Sequence, residues 1–80
     1  MRFKHLNEII GKRISHVVVK ERSRQPMGQV IIVFEDGDCY EFYSQHADLS
    51  GSGMSGTGGL AEAQRYMAQE ATLIKTYPEP

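Results

Sequence analysis

Apolar positions along this chain come in short clusters with different periods. Leu6, Ile9 and Ile10 recur at helical spacing and Gly11 follows them, so residues 5–10 predict one or two helical turns ended by a glycine. From Arg13 to Lys20 the β-branched residues Ile14, Val17, Val18 and Val19 predict a strand, and the polar stretch after it carries the turn residues Pro26 and Gly28. Residues 29–35 (QVIIVFE) and 39–44 (CYEFYS) predict two further strands, joined through Asp36-Gly37, a pair that tolerates positive φ and marks a hairpin.

A two-residue Asp36-Gly37 turn sets Phe34 opposite Cys39, Val33 opposite Tyr40, Ile32 opposite Glu41, Ile31 opposite Phe42 and Val30 opposite Tyr43. Opposed residues share a face. One face then carries Ile31, Val33, Tyr40 and Phe42, and the other carries Val30, Ile32, Phe34, Cys39 and Tyr43 with the acid Glu41. Both are apolar, so the hairpin is expected to be covered on two sides.

From Leu60 onward the chain is rich in Ala, Glu and Gln, and Leu60, Ala63, Met67, Ala71, Ile74 and Tyr77 recur at intervals of three and four. This predicts one amphipathic helix. The β-branched Thr72, Ile74 and Thr76 would also suit a short fourth strand, but no Gly, Pro or Asn reverses the chain before Pro78, and continuation of the helix to Thr76 is the expectation.

About fifteen residues lie between the third strand and this helix, and residues 50–59 hold eight Gly and Ser. Gly51, Gly53 and Gly56 spell G-x-G-x-x-G ahead of a helix, which raises the question of a nucleotide. A dinucleotide site needs a tight strand-to-helix turn inside a parallel βαβ unit, and a phosphate loop needs a lysine after its last glycine; neither is written here. The segment therefore reads first as a flexible connector, then as a partner-contacting loop, and last as an anion-binding nest of Gly56, Thr57, Gly58 and Gly59.

No catalytic or metal set is expected. His46, Asp48 and Ser50 alternate, but a triad needs the imidazole held between carboxylate and hydroxyl on a rigid scaffold beside an oxyanion hole, and sequence adjacency supplies none of these. Cys39 with His46 is no better, since a lone cysteine at a strand start behaves as a small hydrophobe. The potential ligands His5, His16, His46, Cys39, Glu35, Asp36 and Asp38 show no close His/Cys pairing, and acids at a hairpin tip suit turn geometry.

Composition adds bounds rather than a partner. Eighty residues make one domain over 1–80, burying about 60–65% of the surface of the unfolded chain. A single cysteine without an internal disulfide points to a reducing cytoplasm. Charges at the amino end argue against a secretory address, and the longest apolar run, Val30 to Phe34, cannot span a membrane. Opening with Met1 and ending without a tag, the chain is read as a complete short product. Charge is uneven: residues 1–24 carry +5 and residues 25–80 carry −6. Adjacent strands pairing basic with acidic groups account for this most simply; an interface between protomers comes next, and a nucleic-acid footprint last, because an acidic majority repels phosphate.

The expected architecture is α+β: a short amino-terminal helix, a three-stranded antiparallel meander, the Gly/Ser-rich loop and a carboxy-terminal amphipathic helix packed on one sheet face. The expected function is that of a non-catalytic interaction or adaptor module acting as a homodimer, without cofactor or metal. Its interface is placed at Val30, Ile32, Phe34 and Tyr43, a face that one helix on the other side leaves wet. The alternatives are a nucleic-acid-associated regulator using Arg13, Lys20, Arg22 and Arg24, and a small-anion or phosphate-binding protein using Gly56 to Gly59.

Overall fold

The computed structural model describes residues 2–21, 28–45, 48–54, 58–68 and 73–79. Strands β1 (Arg2–Phe3), β2 (Ile14–Glu21), β3 (Gln29–Phe34), β4 (Cys39–Gln45), β5 (Asp48–Met54) and β6 (Leu73–Tyr77) form one sheet in the order β1-β5-β4-β3-β2-β6. Strands β2 to β6 pair antiparallel, and two-residue β1 joins the outer edge of β5 in parallel. One helix, α1 (Leu60–Ala68), and a 3-10 turn at Leu6–Ile9 complete the described elements. The expected three-stranded meander with an amino-terminal helix is thus replaced by a five-stranded antiparallel sheet with one short helix.

Three corrections follow from physical causes. The amino-terminal helix is a single 3-10 turn, entered through His5 in the left-handed region at φ 62° and left through Gly11 at φ 85°. Half of the Gly/Ser segment is strand β5, paired with β4 over its whole length from Gln45↔Asp48 to Cys39↔Met54. The carboxy-terminal helix is described over Leu60–Ala68, and Leu73–Tyr77, expected to continue it, is strand β6, paired with β2. Strands β5 and β6 run the same way at opposite sides of the sheet, so the chain must cross β4, β3 and β2. From β5 to β6 is four strand spacings, about 19 Å at about 4.8 Å each, and the backbone of Leu73–Tyr77 is taken up by its ladder with β2.

The β3–β4 hairpin is shifted by one residue from the pairing a two-residue turn gives. Val33 lies opposite Cys39, Ile32 opposite Tyr40, Ile31 opposite Glu41, Val30 opposite Phe42 and Gln29 opposite Tyr43. The connection is a three-residue loop: Gly37 N–H donates to Phe34 C=O at 3.0 Å, Phe34 N–H donates to Asp38 C=O at 2.9 Å, and Gly37 takes φ 92°. Asp36 Oδ1 accepts from Asp38 N–H at 2.9 Å and fixes the turn. A one-residue shift exchanges faces.

The core follows from this register. Val18, Ile31, Val33 and Cys39 rise from one sheet face against Ala63 and Met67 of α1, with Leu60 and Ile74 at its margin. Gln64 Nε2 donates to Thr76 Oγ1 at 3.0 Å and ties the helix to β6. The extents are 32 × 31 × 19 Å, and among the described elements the one helix packs on one side of the sheet.

Candidate functional site

The face opposite α1 holds the feature most in need of explanation. Val17 and Val19 of β2, Val30 and Ile32 of β3, and Phe42 of β4 share it by register, and each is half-buried where their counterparts Val18 and Ile31 are fully buried. On β6, Tyr77 opposite Val17 is 39% exposed on this face, and the exposed Lys75, opposite Val19, borders the patch there. No charged side chain stands among the central positions of β2, β3 and β4 on this face.

Among the described residues, the amino-terminal segment roofs one end of this face. Tyr40, fully buried, donates its hydroxyl to the Lys4 carbonyl at 2.8 Å, and Lys4 N–H donates to Gly51 C=O at 2.9 Å. Burial raises the Tyr40 phenol above its ordinary pKa. Phe42 stacks beside Tyr40 with ring centroids 4.9 Å apart, and Phe3 meets Phe42 edge-on at 6.2 Å. The glycines of the G-x-G motif belong to this layer: a Cβ on Gly51 would stand 2.8 Å from both Phe3 Cδ1 and Tyr40 Cε1, and one on Gly53 would stand 3.3 Å from His5 Cβ. They leave room for rings, not for a pyrophosphate.

A half-open cleft of about 470 Å³ runs between this segment and the sheet. It is lined by His5, Glu8, Lys12, Phe34, Tyr40 and Gly53, of which Tyr40 and Phe34 are buried. Lys12 is held over the Phe34 ring at 5.4 Å by Asp36 at 2.9 Å and Asp38 at 2.6 Å. Those two carboxylates raise the Lys12 pKa above 10.5, while the Asp38 N–H, and then the Lys12 ammonium, hold the Asp36 carboxyl below 3.8.

The residues singled out in the sequence are distributed as follows. Val30 and Ile32 lie on the open face; Phe34 shares it but is only 4% exposed, under Lys12; Tyr43, carried over by the register shift, stands on the helix side. Arg13 precedes β2 and pairs with Glu35 at 3.1 Å, whereas Lys20 is buried near the other end of β2, opposite Gln29, so the two are not brought together. Arg22 and Arg24 lie outside the described residues, as do Gly56, Thr57 and His46. Gly58 and Gly59, at φ 91° and 70°, turn the chain into α1, and Gly59 C=O accepts from Ala63 N–H at 3.1 Å. Asp48 is exposed and Ser50 is buried.

Sequence reasoning passed over a polar group beside α1. Gln29 Nε2 donates to Glu41 Oε2, and Tyr66 reaches the same carboxylate. Burial first, and then Glu41, raise the Tyr66 phenol above its ordinary value. The register shift is the cause, since Glu41 was assigned to the other face. Among the described residues no group of three or more His, Cys, Asp or Glu is arranged to hold a metal ion, and no helix is long and apolar enough to cross a membrane. Comparison with known protein families, with curated proteins and with solved structures finds no match for the chain.

Proposed function

We propose that this chain is a non-catalytic interaction module that works as a homodimer, the open sheet face of one copy packed on the same face of another. One observation carries the reading: Val17, Val19, Val30, Ile32 and Phe42 form an uncharged patch with α1 on the far side of the sheet. A second copy fits it for two reasons. The plate's long axes of 32 and 31 Å bound a face of several hundred Å², in the range of the about 800 Å² that each partner contributes to a stable interface. Two copies of one twisted sheet also pack face to face at about 10 Å with interdigitating side chains, which makes the patch its own complement.

The adaptor role would rest on the surfaces that such a dimer leaves outward, and the single buried Cys39 suits a reducing cytoplasm. A nucleic-acid role draws less support, since Arg13 precedes β2, Lys20 lies near the other end of that strand, and Lys20 is buried. Light scattering at tens of micromolar should give a mass near twice 9.0 kDa for the native chain. Ile32→Glu, which places a charge at the centre of this face, should return the monomer with its circular dichroism unchanged. A monomeric native chain, or a dimer that survives Ile32→Glu, overturns the reading.

A further inference from the structure

We draw no further inference here: the strongest candidate, the outer edge of strand β6 (Leu73–Tyr77), ends the sheet on the side opposite β1, and nothing in the structure shows what covers it.

Discussion

Replacing Gly51 by alanine should be the most damaging single-methyl change in the sheet. The added Cβ would stand 2.8 Å from Phe3 Cδ1, 2.8 Å from Tyr40 Cε1 and 2.9 Å from Tyr40 Oη. Phe3, in a two-residue edge strand, can move aside; Tyr40 is fully buried and cannot. Overpacking of this kind costs about 1–3 kcal/mol. Pushing the ring away also lengthens the 2.8 Å bond from Tyr40 to the Lys4 carbonyl, worth about 1 kcal/mol. The gain from removing a glycine from a strand recovers at most about 1 kcal/mol. The net loss should be about 2–3 kcal/mol, which in a chain this short lowers Tm by roughly 10–20 °C. Urea unfolding followed by circular dichroism should show a lower midpoint at unchanged slope. Gly53→Ala is the internal control, because its closest contact is 3.3 Å, from the Cβ of exposed His5, and it should lose less than about 1 kcal/mol. Equal stability of Gly51→Ala and the native chain would refute the steric reading of the glycines in β5.

Other outcomes are as specific. Met67→Ala, at a fully buried position between α1 and the sheet, should cost about 2–4 kcal/mol by leaving a cavity under the helix. The Asp36 carboxyl, held low by Asp38 N–H and Lys12, should titrate below 3.8 in a side-chain carboxyl shift titration. Its contribution to stability is present above the unfolded value and is lost as pH falls through the folded one, and Asp36→Asn should flatten that acid limb. Tyr66 should ionise above pH 10 in an ultraviolet titration, with its contribution to stability present below that value and lost as pH rises through the folded one; Glu41→Gln should bring the phenol back toward 10.

Strand β2 and the β3–β4 hairpin were legible because β-branched residues and Asp36-Gly37 speak for themselves. The register was not, since Asp-Gly serves a two-residue turn and also a three-residue loop with glycine at the left-handed position, and the one-residue difference decides the face of Glu41 and Tyr43. Strand β5 was hidden because Ser and Gly have little strand preference of their own; its glycines are there to admit Tyr40 and Phe3, a requirement written on other elements. Strand β6 was hidden by a helical period running from Leu60 to Tyr77, and its pairing with β2 joins segments distant in sequence, which no local signal records. Of the residues first placed at an interface, Val30 and Ile32 lie on the open face on either register's account of alternation along β3; the partners they share it with, Val17, Val19 and Phe42, depend on the observed pairing.

The role of that face is tested most directly by isotope-filtered nuclear Overhauser measurements on a mixture of labelled and unlabelled chains, which detect contacts between copies alone. Face-to-face packing predicts intermolecular contacts from the methyls of Val17, Val19, Val30 and Ile32 to one another and to the Phe42 ring. Intermolecular contacts arising only from β6 or from the outer side of α1, or none at all at concentrations where the mass is near 9.0 kDa, would contradict it.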